Sequence, residues 1–156
     1  MGNLKLTSSA FSDGGEIPRE CGYKNGNKVP HLAAFGVPEG TKSLALIMDD
    51  PDAMEPAGKV WVHWVVWNIS PEALEIFQAD NSQTPEIAFS DKGMNDFGEV
   101  GYGGPAPPDK RHTYVFKLYA LDTILDLSEG SPKAALESAM EGHIVDQATL
   151  TGTYAP

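Results

Sequence analysis

The chain has 156 residues, enough for one domain that buries roughly 70% of the surface its unfolded chain exposes. Eleven Lys plus Arg stand against twenty-two Asp plus Glu, a net charge of −11, which opposes a nucleic-acid backbone or an anionic bilayer. Any anion bound here has to be captured by local geometry and not by the global field.

Cys21 is the single cysteine, so no intrachain disulfide forms, and a lone thiol suits a reducing compartment; a cytoplasmic location is the expectation. The opening "MGNLKLTSSAFSDGGEIP" has no apolar core of a secretory signal, and Leu6 stands where a myristoylation signal wants Ser or Thr. No apolar run approaches the roughly eighteen residues that span a bilayer. Sixteen Gly and twelve Pro punctuate short segments over the whole length, without a repeat or a linker. That pattern predicts a single all-β domain over residues 1–156.

In chain order, the first strand is expected over 43–48, rich in apolar residues, and it runs into the acidic corner "DDPDA". Asp50 and Asp52 beside Pro51 are suited to Asx-turns. The second strand, over 60–68, holds "VWVHWVVWN", with His63 set among three tryptophans. Side chains alternate along a strand, so Trp61, His63, Val65, Trp67 and Ile69 are expected on one face and Val60, Val62, Trp64 and Val66 on the other. Both faces are apolar, which predicts cover on both sides, as in a sandwich. A short helical turn is suggested at Ser70-Pro71, followed by a turn-rich stretch with room for one short strand.

Next comes "GYGGPAPPDK", whose Gly101, Gly103 and Gly104 suit positive backbone angles. It leads into a third strand over 113–121, and the same parity puts His112, Tyr114, Phe116 and Leu118 on one face. One helix is predicted, with Ser131 as cap, Pro132 at the first position, Leu136, Ala139 and Met140 on one face, and Gly142 at its end. A last strand is expected over 143–153. His31 and His143 have no companion polar set and read as structural.

Two histidines and a tyrosine from strands, with carboxylates at a proline-stiffened corner, are the ingredients of a small polar pocket in an apolar wall. Taken singly, each has an ordinary alternative: a hydrogen-bonded core His, a packed Tyr, an Asx-turn Asp. No Gly-x-Ser-x-Gly elbow and no phosphate-cradling P-loop is present, and Cys21 sits in a turn-like "ECGYKNG", so no activated nucleophile is expected.

The corner "DDPDA" followed by "VHW", then "GYGGPAPP" followed by "HTYVFKLYAL", resembles the two signature regions of the phosphatidylethanolamine-binding protein family, especially its bacterial and archaeal branch. The stretches "FSDGGEIP", "PHLA", "VPEGTKSLALIMDDPDA" and "GHIVDQATLTGTY" extend the resemblance over nearly the whole chain. It implies an antiparallel β-sandwich with one or two short peripheral helices and a small anion pocket at one end. It implies as ligand-binding residues Asp50, Trp61 and His63 from the first signature, and Gly104, His112 and Tyr114 from the second. Departures are Met54 in place of Pro, Thr113 in place of Arg between His and Tyr, and Val29 and Ala34 in place of Ser and Trp. Arg111 points away from His112 by parity and does not replace the missing Arg. The sequence ends at "GTYAP", where animal members continue into a helix over their pocket, so that closure is not carried over.

The function expected is non-catalytic binding of small phosphate-type anions or phospholipid head groups, with an enzyme partner as for kinase- or protease-inhibitor-like relatives. No cofactor, no metal, no nucleic acid and no integral membrane segment are expected; monomer and homodimer both stay open. Two alternatives stand beside it: a metal-dependent enzyme using Asp50, His63 and His112, and a surface-acting inhibitor with a vestigial pocket.

Overall fold

The computed structural model describes residues 3–72, 75–77 and 91–156. Nine strands and two helices appear among them: β1 (Lys5–Thr7), β2 (Gly15–Glu16), β3 (Leu32–Phe35), β4 (Ser43–Asp50), α1 (Met54–Ala57), β5 (Trp61–Ile69), β6 (Glu75–Phe77), β7 (Asp91–Lys92), β8 (His112–Leu121), α2 (Lys133–Met140) and β9 (Ile144–Tyr154). They form a six-stranded sheet in the order β2-β9-β8-β4-β5-β7 and a three-stranded sheet in the order β1-β3-β6. The pairings are antiparallel except at one edge, where β2 runs parallel to β9. The fold is mostly β with few helices.

The apolar sequence of β4 follows from its central place: every one of its residues is buried. Leu44, Leu46 and Met48 join Trp64, Phe116 and Leu32 in a core between the two sheets. Ala45 and Ile47, of opposite parity, join Val65, Trp67 and Leu136 of α2 in a second core on the outer face of the large sheet. The covered sandwich expected from the two apolar faces is therefore made by the small sheet on one side and α2 on the other.

The single-parity reading of β5 does not hold, because the strand is bulged twice. Its pairing with β4 slips between Met48 and Asp49 and again between Leu44 and Leu46. Each bulge inserts one residue and turns the following side chains to the other face. Val62, Val65 and Trp67 consequently face α2, while Trp64, Val66 and Ile69 face the small sheet. Asn68, at the second irregularity, takes φ +57 and holds the loop after β8 through Asn68 Nδ2 to Leu125 O at 2.9 Å.

Helix α2 begins one residue later than expected. Pro132 occupies the cap position without a side-chain cap bond, and the Ser131 hydroxyl donates instead to Ser128 O at 2.7 Å. Leu136 and Met140 are its buried face, and Gly142 follows its end at φ +82. Ser70-Pro71 makes a turn, and its continuation into residues 73–74 lies outside the described residues. Strands β1, β2 and β3 were not expected; at two to four residues they are too short to show a period.

Candidate functional site

The corner after β4 is stiff for a reason readable in its bonds. Pro51 starts a 3-10 turn over Pro51–Ala53, and the Asp50 carboxylate caps it by accepting from the Asp52 amide, Oδ1 to N 2.9 Å. Asp52 in turn accepts from the Thr113 amide at 2.9 Å, fixing the start of β8 against the corner. In the ladder Asp50 lies opposite Trp61, and Asp49 lies opposite Val115. The end of β4 and the beginnings of β5 and β8 thus meet at one end of the sheet, which brings Asp50, Trp61, His63, His112 and Tyr114 together.

Four of them, Asp50, Trp61, His63 and His112, line a cavity of about 210 Å³ with Ala53, Pro56 and Ala57 from the corner and α1, and Phe97, Ala106 and Pro108 from the loop before β8. Tyr114 is not in its lining; it is fully buried and sits edge-on to His63, ring centroids 5.2 Å apart at 80°. Gly104 does not line the cavity. Its amide donates to Asn27 Oδ1 at 2.7 Å, and a β-carbon there would run into the backbone of Cys21 to Tyr23. Of the three loop glycines only Gly101 has a positive φ, +118; Gly103 and Gly104 serve close approach of the loop.

His63 is held reciprocally by that loop. Its Nδ1 donates to Gly103 O at 2.7 Å, and the Gly103 amide donates to His63 O at 2.9 Å. Burial pushes the imidazole down to about 4 against the opposing pull of the Gly103 and Gly104 backbone, so the ring is neutral at pH 7. With its proton on Nδ1, it has Nε2 as an acceptor.

His112 is the opposite case. It is fully buried, yet its Nδ1 lies 2.6 Å from Asp50 Oδ2 and its Nε2 lies 2.7 Å from Asp109 Oδ1. Burial disfavours the charged ring, but the bonds to Asp50 and Asp109 outweigh it and hold its pKa above 6.5. Burial also raises the Asp50 carboxyl, against the contrary pull of His112. Asp50, His112 and Asp109 therefore titrate as one coupled set.

Two donors at the site are left over. The protons of Trp61 Nε1 and of the Tyr114 hydroxyl are buried with no acceptor among the described residues, an uncommon state for buried polar groups, while the Ala106 backbone faces the Tyr114 oxygen. Tyr114 ionisation is pushed far up, first by burial and then by Asp50, so the phenol keeps its proton and can donate.

Sequence reasoning missed Phe97 and Asp109. Phe97 stacks on Tyr23 at 3.9 Å and 4° and meets the rings of Trp61 and His63 edge-on at 5.6 and 5.5 Å. No motif announced it. Asp109 had a signal, an acid three residues before His112 at the junction of loop and strand. Arg111 turns away from the cavity as parity predicted, toward Thr153 Oγ1 at 3.2 Å.

Among the described residues no three His, Cys, Asp or Glu side chains are arranged to hold a metal ion. The reason is visible in the site: Asp50 and His112 bond to each other, and His63 Nδ1 faces a carbonyl. Cys21 is buried, and desolvation followed by Glu20 pushes its thiol up to about 12, which leaves no thiolate at neutral pH. No described helix is long and apolar enough to cross a membrane.

Comparison with known proteins shows what the chain as a whole is similar to. A family model described as phosphatidylethanolamine-binding protein matches residues 7–155. A UPF0098 protein of Methanothermobacter thermautotrophicus is 46% identical over 153 residues, covering 97% of this chain and 98% of its own. The crystal structure of a phosphatidylethanolamine-binding protein homologue from Chlamydia trachomatis is 40% identical with a TM-score of 0.88, covering 99% of this chain and 98% of its own. That of E. coli YbcL, described as a member of the mammalian PEBP family, is 32% identical with a TM-score of 0.85, covering 98% of both chains.

Proposed function

The chain belongs to the phosphatidylethanolamine-binding protein family, and from that premise we propose that it is a non-catalytic binding protein for small phosphate-type anions, free or as a phospholipid head group. The cavity between Asp50, Trp61, His63 and His112 is the receiving site. The observation that carries this reading is the buried His112, whose two ring nitrogens lie 2.6 and 2.7 Å from carboxylate oxygens and whose pKa is raised, near two donors, Trp61 Nε1 and the Tyr114 hydroxyl, whose protons have no acceptor among the described residues. A phosphoryl oxygen satisfies such donors, and charge-assisted bonds to it are the strong kind.

His63 shapes the protonation state of the ligand. As a neutral ring with an acceptor at Nε2, it suits a singly protonated phosphate or a phosphate monoester that still carries one O–H. The walls supplied by Ala53, Pro56, Phe97 and Pro108 admit the apolar part of a small ester and keep the dielectric low, which strengthens the polar contacts. A binding role fits better than a nucleophilic one, since Cys21 is protonated and both ring nitrogens of His112 are taken by carboxylates.

The test is a titration of inorganic phosphate, and separately of phosphoethanolamine, into isotope-labelled protein, following the His63 and His112 ring signals, with His63→Ala as control. Saturable shifts of both rings that are lost in the control support the reading. Still spectra up to millimolar concentrations of both ligands reject it. Tighter binding of phosphoethanolamine than of phosphate would favour the head group as source.

A further inference from the structure

The cation that makes this an anion site already has its outward nitrogen occupied. His112 Nδ1 is spent on Asp50, which is buried and also caps the corner. Nε2 is spent on Asp109 Oδ1, at 2.7 Å. The two carboxylates differ in kind: the Asp50 side chain is 4% exposed and belongs to the sheet, whereas that of Asp109 is 37% exposed and stands at the end of the Pro-rich loop. Removing Asp50 would dismantle the corner. Asp109 can leave by a side-chain rotation, and its carboxylate otherwise accepts from its own amide and from that of the next residue, the latter at 2.9 Å.

We propose that Asp109 is a built-in occupant of the anion position, a tethered carboxylate that an incoming phosphate or carboxylate group must displace from His112 Nε2 in order to bind. The proposal rests on the anion-binding reading of the cavity. Binding is then an exchange of one anion for another at Nε2, so the buried imidazole keeps an anionic partner throughout. This accounts for how a protein of net charge −11 keeps a cation ready without binding every small anion in its surroundings. The occupant sets a threshold: only a group that also satisfies Trp61 Nε1, the Tyr114 hydroxyl or the acceptor of His63 gains enough to outcompete a tethered carboxylate.

The same contact names the ligand class more closely. A planar carboxylate oxygen already fits at Nε2, so carboxylates compete for the position alongside phosphates, and the added donors favour the anion with more acceptor oxygens. The apparent affinity is lowered by the fraction of molecules in which Asp109 is engaged. Freeing the nitrogen should raise it by about five- to tenfold, the effect of one partly exposed charged contact.

The test measures dissociation constants for inorganic phosphate and for acetate in the parent chain, in Asp109→Ala, which removes the acceptor as well as the charge, and in Glu141→Gln, which removes an equal charge beyond the end of α2. It also follows the side-chain carboxyl carbon signals of Asp109 and Asp50 in the parent chain during the phosphate titration. Expected are about five- to tenfold tighter phosphate binding in Asp109→Ala, no change in Glu141→Gln, and an Asp109 signal that moves to a solvent-exposed value at saturation while Asp50 stays paired. Phosphate that saturates the site with the Asp109 signal unmoved, or with equal or weaker affinity in Asp109→Ala, overturns the displacement and leaves the anion site standing. Phosphate that binds neither parent nor Asp109→Ala overturns both.

Discussion

Asp50 accepts from the Asp52 amide with one oxygen and meets His112 with the other, while its neighbour Asp49 points to the opposite face of the sheet and meets Lys117 and Lys133 at 3.3 and 2.8 Å. Adjacent acids thus divide into a site residue and a structural one, as strand alternation requires. Asp49→Ala should destabilise the fold by about 1–3 kcal/mol, the effect of losing charge-assisted bonds to two partly exposed lysines, and leave phosphate binding intact; urea unfolding and titration check the two halves. Tyr114→Phe should do the reverse. It deletes a buried hydroxyl whose proton has no acceptor among the described residues and whose oxygen faces the Ala106 backbone, so stability changes by no more than about 1 kcal/mol while phosphate binding weakens. A larger loss of stability in Tyr114→Phe would mean that the hydroxyl proton is satisfied in the free protein. Strand parity and the proline corner make His63, His112, Tyr114 and Asp50 legible as a polar group, whereas Trp61 was named only through the family resemblance. Phe97 could not be found, since an irregular loop has no period to project, and Asp109 was announced only by its place three residues before His112.

Strands β4, β5 and β8 were visible as apolar runs, and their ends fell within two residues of expectation. What periodicity could not supply was the pair of bulges in β5, which depend on the register with β4. They decide that His63 looks into the cavity while Val65 and Trp67 look toward α2. That helix is separable from the site. Leu136→Ala should lower stability by about 2–5 kcal/mol, read as a shifted denaturation midpoint, and leave the ring signals of His63 and His112 in place. The loop before β8 is not separable, because Gly104 abuts the backbone of Cys21 to Tyr23. Gly104→Ala should destabilise by about 1–3 kcal/mol through overpacking and shift the His63 signals through the Gly103 contact. An unshifted His63 in that variant would show that the loop does not position the ring.

Across the whole molecule, the two site histidines give stability opposite dependences on pH. His63 is held at about 4, below the 6.5 of the unfolded chain, chiefly by burial. The unfolded state takes up a proton first, so stability is lost as pH falls from 6.5 toward 4, on the order of 3 kcal/mol in all. His112 is held above 6.5 because Asp50 and Asp109 overcome the opposing burial. Its contribution is full below 6.5 and is lost as pH rises through the folded value. His63→Gln should therefore flatten the acid limb of a stability profile and His112→Gln the alkaline limb, and unaltered limbs would contradict these charge states. The net charge of −11 was plain from composition, but the local cation was not, because it depends on burial and on Asp109. The most direct measurement is of the imidazole nitrogen signals at pH 7, without and then with inorganic phosphate. The account predicts His112 protonated on both nitrogens, His63 on Nδ1 alone, and both rings shifting saturably as phosphate is added. A neutral His112, or rings unmoved by millimolar phosphate, would contradict it.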